Sequence, residues 1–550
     1  MDRKEFADRL LKTEHDWEYY ENLYPERNLD DKAIVTRYAP SPTGFVHLGA
    51  LYAAFIARKM AKQTNGVFFL RIEDTDQKRS IEDGVNKIIT DLANFDITFD
   101  EGVTLDGDKG NYGPYTQSER GDIYKAFAKK LIAEDKAYPC FCSQESLQED
   151  RERQEKHKER IGYYGYYARC RNLSMEEALE KIENGEKYII RLKSKGNFNH
   201  RFKFKDEIKG KMELPENDQD IVIIKSDGLP TYHFAHVVDD HLMRTTHVIR
   251  GDEWLSSIPV HVQLFEYLGF KVPKYAHISP ITIEDNGTKR KLSKRKDPEA
   301  AISYYHEKGI PNKAVMLYLE TVANSNFEMW MNQNKDKDVD EFVLDFKKMP
   351  VGGSLFDHDK LMNISKNYIS TLKASEVYDM TLDWAKLYDK DFASLLEKYK
   401  EYSTSIFNIE REQKKPRKDI GYFGDVKNQV WYMYDELFDP KEYEWQKVTD
   451  KEEIKNILDV YLNKYYNEND DKNTWFDNMK KAAVELGYAG EMKEYKENPD
   501  NYKGSIADFS TVVRVSLTSK SNTPDLYEIM RLLGKERMME RVKMVICRGC

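Results

Sequence analysis

The spacing of apolar positions changes period several times along the chain, and each change predicts an element. "AIVTRYA" (33–39) is a short apolar run of strand length. From Leu48 onward, Leu51, Tyr52, Phe55, Ile56 and Met60 recur at helical spacing, and Gly66 is a suitable stop. "VFFLRIED" (67–74) reads as the next strand, and "EDGVNKIITDLANF" (82–95) as the next helix. Strand, helix, strand, helix in this order predicts a parallel sheet. The alternation breaks near residue 135, where a cysteine-bearing stretch and a polar helix, "ESLQEDRERQEKHKERIG" (145–162), intervene. Strand signals resume at "KYIIRLK" (187–193) and "DIVIIKS" (220–226). A second α/β stretch follows through "VVDDHLMRTTHVIRGDEW" (237–254), a helix "IPVHVQLFEYLGF" (258–270) and a strand "AHISPITI" (276–283). Beyond residue 300 strand signals fade and helical patterns dominate, without a repeat. The pattern predicts a split α/β core interrupted by an insert, then an all-helical region, with residues 1 to about 30 as charged, partly helical material in front.

Length and composition narrow this picture. At 550 residues the chain exceeds one ordinary core and predicts three or more domains. No stretch approaches the ~18 consecutive apolar residues of a membrane span. The N-terminus mixes both charge signs and lacks the apolar centre of a secretory signal, so a cytoplasmic location is expected. Five cysteines are too sparse for a disulfide framework. The net charge of −10 announces no nucleic-acid partner, so local basic runs matter more: "KRKLSKRK" (289–296) and "REQKKPRK" (411–418).

Two stretches carry candidate chemistry. "SPTGFVHLG" (41–49) leaves a strand and enters a helix N-terminus, where backbone N–H groups and the positive end of the helix dipole suit phosphate. Gly49 would let a flat base or ribose approach the backbone, and His47 can donate a hydrogen bond to a phosphoryl oxygen. "KLSKR" (291–295) places Lys291 and Lys294 around a serine, two ammonium groups suited to a polyphosphate. Each alone has a bland reading, a surface turn in the first case and a solvated basic loop in the second. Together they have the layout of a class I aminoacyl-tRNA synthetase.

Four stretches sharpen that layout: "TRYAPSPTGFVHLG", "FFLRIEDTDQKRS", "IIKSDGLPTYHFAHVVDDHLMRTTHVIRGDEW" and "KRKLSKR". In this order they closely resemble the glutamyl-tRNA synthetase family of the bacterial type. "GGSLFDHDKLMNISKNYI" (352–369) resembles the family's lead into its anticodon-binding region. The resemblance is dense from Thr36 to about Ile369. It implies an α/β fold: a class I Rossmann-type parallel-sheet catalytic core with an inserted acceptor-binding subdomain, then an all-α anticodon-binding region. The expected boundaries are an extension at 1–32, the first half of the core at 33–135, the insert at 136–220, the second half with the KLSKR loop at 221–305, a helical stem-contact region at 306–370 and the anticodon-binding region at 371–550.

The same resemblance implies activation of L-glutamate with ATP and Mg²⁺ and transfer to tRNA(Glu), with no membrane or DNA partner and a monomeric state. His47, Lys291 and Lys294 would act on the phosphates, while Thr43, Gly49 and Glu253, with Trp254, would surround ATP. Arg37 would clamp the side-chain carboxylate of glutamate, Arg250 the α-carboxylate and Glu73 the ammonium, with Ser41 and Tyr232 lining the pocket. His236 sits where relatives vary. The position where a second histidine would close the nucleotide signature is Ala50, which glutamyl enzymes tolerate because the ionised carboxylate needs no proton removed before attack. In the insert, Cys140, Cys142, Tyr166 and Cys170 resemble the zinc site of some relatives; Asn172 stands where others have a histidine ligand. Glutaminyl-tRNA synthetase, a queuosine-modifying relative, an inactive paralogue and a cofactor adenylyltransferase are the competing readings. The helical C-terminal half disfavours the first, the length the second and fourth, and the intact motif residues the third.

Overall fold

The computed structural model describes every residue except 43–45, 77–80, 82, 294 and 549–550. It forms two compact units, one of Met1–Tyr304 with Met316–Asp357 and one of Tyr305–Val315 with His358–Cys550.

The first unit is built on parallel strands. Strand Val35–Tyr38 pairs in parallel with Val67–Leu70, which pairs in parallel with Glu101–Thr104; Gly107–Lys109 closes the edge antiparallel. Val67–Leu70 has no polar residue, as expected where helices cover both faces of a sheet. The crossover between the first two strands is helix Leu48–Lys62, which buries Leu48, Leu51, Tyr52, Phe55, Ile56 and Met60. Gly66 is obligatory at the return: a Cβ there would lie 2.0 Å from the carbonyl oxygen of Ile34. A second set, His247–Gly251, Lys274–Ile278 and Arg201–Asp206, is also parallel, with Gly210–Pro215 antiparallel at its edge. The sets meet where Val35 and Thr246 exchange hydrogen bonds, each 2.9 Å long: Val35 N–H to Thr246 Oγ1, and Thr246 N–H to the Val35 carbonyl. Chain order reverses at that seam, where open α/β sheets bind ligands.

Two elements differ from the sequence pattern. "AHISPITI" is two strands, because Pro280 lacks an N–H for the ladder: Lys274–Ile278 stays in the core sheet and Ile281–Asp285 joins Thr288–Lys291 and Ser354–Leu355. The charged stretch 201–215 is a β-hairpin whose alternating exposed lysines hide the strand signal. Two strands of the insert, Ala137–Cys140 and Ile189–Leu192, form an antiparallel sheet with Val222–Ile224, just past residue 220, beside helix Gln144–His157.

The N-terminal 30 residues are tied to the core. Helices Arg3–Leu10 and Trp17–Leu23 contribute Phe6, Leu10 and Tyr20 to its hydrophobic cluster. Tyr20 donates to Asp122 at 2.7 Å, and Arg27 forms a bidentate pair with Glu101 at 2.8 and 2.9 Å.

The second unit is helical, with a large apolar core that includes Tyr378, Phe392, Tyr434, Tyr461 and Phe509. Within the basic run 411–418, Arg411 is buried and donates to the carbonyls of Phe407 at 2.8 Å and Ile369 at 2.6 Å. Arg417 pairs with Asp419 at 2.8 Å. Both serve the unit's own fold, leaving Lys414, Lys415 and Lys418 as the exposed cations of the run.

Candidate functional site

A cavity of about 500 Å³ opens at the seam between the two parallel sets. Its lining includes Arg37, His47, Gly49, Glu73, Tyr232, Arg250, Glu253, Trp254 and Lys291, so residues from four distant stretches converge on it. Ser41 does not line it: the preceding Pro40 carbonyl is fixed by the Glu73 N–H at 3.0 Å, and Ser41 is turned to solvent. Thr43 and Lys294 lie outside the described residues.

His47 is the N-cap of helix Leu48–Lys62, and its Nδ1 accepts from the Ala50 N–H at 3.0 Å. An imidazole that accepts at Nδ1 carries its proton on Nε2, so the ring presents an N–H donor at that atom. The cap asks residue 50 only for a backbone N–H, so alanine serves there. A Cβ at position 49 would come within 3.2 Å of the His47 ring, so Gly49 gives the histidine its room. Lys291 ends strand Thr288–Lys291 and approaches the Glu253 carboxylate at 3.3 Å. Glu253 folds back over Gly251, where a Cβ would meet that carboxylate at 2.3 Å.

The opposite end is buried and charged. Arg37 donates from Nε to Asp240 at 3.0 Å and approaches His236 Nδ1 from Nη2 at 3.4 Å. The same Asp240 oxygen accepts from Arg71 at 2.7 Å, and Arg71 also donates to Glu73 at 3.0 Å. Two guanidiniums and two carboxylates thus form one network, with Arg71 fully buried. Burial alone would raise the Asp240 pKa, but the charges of Arg37 and Arg71 outweigh it and hold this carboxylate below its usual range. At Glu73 the balance reverses: desolvation wins over Arg71 and Arg37, and its pKa is raised. A raised carboxylate gains from an arriving ammonium. Next along the helix, Asp239 accepts from Arg120 at 2.7 Å, Gln117 at 2.8 Å and Tyr124 at 2.8 Å, which locks helix Tyr232–Leu242 in place.

Arg250 is held differently. Its donors go to His277 Nε2 at 3.1 Å, the Tyr232 hydroxyl at 3.1 Å, the Trp254 carbonyl at 3.2 Å and, at 3.4 Å, His261 Nδ1. His236 and His261 stack at 4.3 Å between ring centroids. Desolvation, with the nearby arginine charge, holds both far below the ordinary histidine pKa, so they are neutral.

Motif reading alone misses Arg71, Asp206, Asp239, Asp240, His261 and His277. The paired aspartates of "VVDDHL" and the arginine two residues ahead of Glu73 are visible signals in the chain. The others come from unrelated stretches and meet only in the folded protein.

In the insert, the thiols of Cys140, Cys142 and Cys170 lie within 4.8 Å of one another, with Cys142 and Cys170 sulfurs 3.7 Å apart. That is too long for a disulfide and close to the ~3.8 Å edge of a tetrahedron with metal–sulfur bonds of about 2.3 Å. The fourth group corrects the expectation for Tyr166, which is 82% exposed. Tyr163 stands there instead, its hydroxyl 3.4 Å from Cys140 Sγ and 3.3 Å from Cys142 Sγ. The two short 3-10 turns Gly165–Tyr167 and Arg169–Asn172 point Tyr166 outward while the Tyr163 hydroxyl accepts from the Cys170 N–H at 3.2 Å.

Comparison with known proteins agrees with this geometry. The family described as tRNA synthetases class I (E and Q), catalytic domain, matches residues 33–339, and an anticodon binding domain matches residues 391–546. The class is therefore that of the class I tRNA synthetases, with a parallel-sheet catalytic domain followed by a helical anticodon-binding domain. A glutamate–tRNA ligase of Clostridium perfringens (strain SM101 / Type A) is 50% identical over 530 residues, 96% of each chain. That of Acetivibrio thermocellus is 47% identical over 548 residues, 99% of this chain and 100% of the relative. The crystal structure of a glutamate tRNA ligase from Elizabethkingia meningosepticum in complex with its amino acid superposes with a TM-score of 0.73 at 25% identity, covering 94% of this chain and 99% of that one. This chain belongs to the glutamate–tRNA ligase family. Among the described residues no helix is long and apolar enough to cross a membrane.

Proposed function

We propose that the seam cavity binds L-glutamate and ATP side by side, forms glutamyl-adenylate and passes glutamate to the terminal adenosine of tRNA(Glu). The observation carrying this reading is the meeting in one cavity of two buried arginines and a carboxylate, Arg37, Arg250 and Glu73, with His47 and Lys291 at the other end. Arg37, with Nε committed to Asp240, uses the rest of its fork for the side-chain carboxylate of glutamate. Arg250 takes the α-carboxylate, Glu73 the ammonium, and Tyr232 packs against the aliphatic chain. Ser41 contributes no side-chain contact in this arrangement.

The α-carboxylate oxygen attacks the α-phosphorus of ATP. A C–O–P bond forms, the bond from the α-phosphorus to the bridging oxygen breaks, and pyrophosphate leaves with its electron pair. No proton is removed in this step. Catalysis is therefore alignment plus stabilisation of charge on the phosphoryl oxygens. His47 Nε2–H, Lys291 and Lys294 supply donors for it, Thr43 is assigned to ATP by the family resemblance, and Mg²⁺ enters with ATP. Gly49, Glu253 and Trp254 bound the adenosine end. Attack by a hydroxyl of the tRNA terminus on the mixed anhydride then releases AMP. Cys140, Cys142, Cys170 and Tyr163 would hold Zn²⁺, a structural ion that pins the insert. The chain would work as a monomer in the cytoplasm.

The deciding experiment is ATP–pyrophosphate exchange with glutamate and with glutamine, with and without each cognate tRNA. Exchange that depends on glutamate and tRNA(Glu) supports the reading; exchange driven by glutamine overturns it.

A further inference from the structure

The two arginines of the amino-acid end are oriented by chemically opposite partners. Arg37 and Arg71 share the charge of Asp240. Arg250 makes no ion pair with any described residue, and each of its partners is neutral: a phenol, a carbonyl and two imidazoles. The hydrogen atoms follow from this. Arginine only donates, so His277 Nε2 must accept and its proton must sit on Nδ1. There it donates to Asp206 Oδ2 at 2.7 Å, with both residues fully buried. Asp206 is itself held by the N–H groups of Ile208 at 2.9 Å and Lys209 at 2.8 Å, and by the His277 N–H at 3.1 Å. By the same logic His261 accepts at Nδ1 and donates from Nε2 to His233 at 3.0 Å.

We infer that Asp206 and His277 are positioning residues for glutamate recognition: Asp206 sets the His277 tautomer, and His277 orients Arg250 without neutralising it. A carboxylate in direct contact with Arg250 would orient it equally well but would compete with the substrate's own carboxylate. Placing the carboxylate one imidazole away keeps the guanidinium charge for the ligand. Burial holds His277 below its ordinary pKa against the opposing pull of Asp206, consistent with a neutral ring. This inference rests on the assignment of Arg250 to the α-carboxylate.

The test is Asp206→Asn in the full-length enzyme. The substituted amide can keep its oxygen on the N–H groups of Ile208 and Lys209 and turn its nitrogen to His277 Nδ1. That ring nitrogen would then have to accept, moving the ring proton to Nε2, where it faces the Arg250 donor. Glutamate-dependent exchange in the presence of tRNA(Glu) should show KM for glutamate raised about tenfold to a hundredfold, with KM for ATP unchanged. The amino alcohol in which the α-carboxylate of glutamate is reduced to a hydroxymethyl group serves as a competitive inhibitor, and its Ki should be unchanged, since it lacks the group Arg250 is meant to hold. Should Asp206→Asn fail to fold, His277→Gln and His277→Leu replace it. The glutamine offers an acceptor to Arg250 and should recover most of the glutamate KM, while the leucine should not. Arg250→Ala runs in parallel. If Arg250→Ala raises the glutamate KM and the Asp206 and His277 variants do not, the inference is overturned and the Arg250 assignment stands. If Arg250→Ala leaves the glutamate KM unchanged, the assignment itself falls. An inhibitor Ki that rises together with the glutamate KM marks general disorder of the cavity and also overturns the inference.

Discussion

The two ends of the seam cavity are built to different standards of rigidity. At the end proposed for the amino acid, Arg37 on a strand, Arg71 just after one, and Asp239 and Asp240 on a helix are buried and tied by hydrogen bonds as short as 2.7 Å. At the end proposed for the phosphates, His47 and Lys291 are exposed and sit on the border of loops. The difference suits the ligands proposed for the two ends. Telling glutamate from glutamine requires a fixed charge pattern in a place where water cannot screen it. A triphosphate brings its own charge and needs donors that can follow the oxygens as the α-phosphorus is attacked.

Experiments can break this contrast, starting with the largest effect. Asp240→Ala would strand two buried guanidiniums and should cost about 3–5 kcal/mol of folding stability, measured by denaturant unfolding. Retention of full stability would mean the amino-acid end is not a rigid frame. Lys294→Ala should leave stability alone and lower the rate of glutamate-dependent exchange a hundredfold or more, the ~3–4 kcal/mol typical of a lost transition-state donor. Near-normal exchange would remove Lys294 from the machinery.

Acid should act on partly buried histidines. His233 has its pKa lowered to about 4 by burial and by Arg250, and His247 to about 4 by burial and Lys274. A histidine whose pKa falls on folding binds its proton better in the unfolded chain. Its contribution is therefore complete above about pH 6.5 and is lost as pH drops toward about 4, at roughly 1–2 kcal/mol per histidine by pH 5. Thermal unfolding between pH 7 and 5 at constant ionic strength should show Tm falling, and a flat Tm would contradict neutral burial.

The smallest effect concerns the insert. Tyr163→Phe should lower zinc content or speed zinc loss to a chelator, whereas Tyr166→Phe should leave both unchanged. Purified protein with less than about 0.2 zinc per chain would retire the metal altogether.

Much of this is legible in the chain. The strand–helix–strand start, the polar insert helix and the helical second half all follow from apolar spacing, because each element buries one face against its neighbours. Arg37, His47, Glu73 and Arg250 stand inside recognisable motifs, and the structure brings them to one cavity. The hairpin 201–215 is hidden because its lysine-rich alternation carries little apolar signal. The family resemblance favours Tyr166, yet two 3-10 turns decide which tyrosine faces the thiols.

By itself, then, the sequence determined the class of fold, the family resemblance and which residue types the chemistry would use, since periodicity and motifs are local properties. Tertiary structure alone decided how those residues are held. Asp206, Arg250 and His277 are separated by up to 71 positions. Only the parallel register of His247–Gly251 beside Lys274–Ile278, which sets Arg250 opposite His277, puts an imidazole between a carboxylate and a guanidinium.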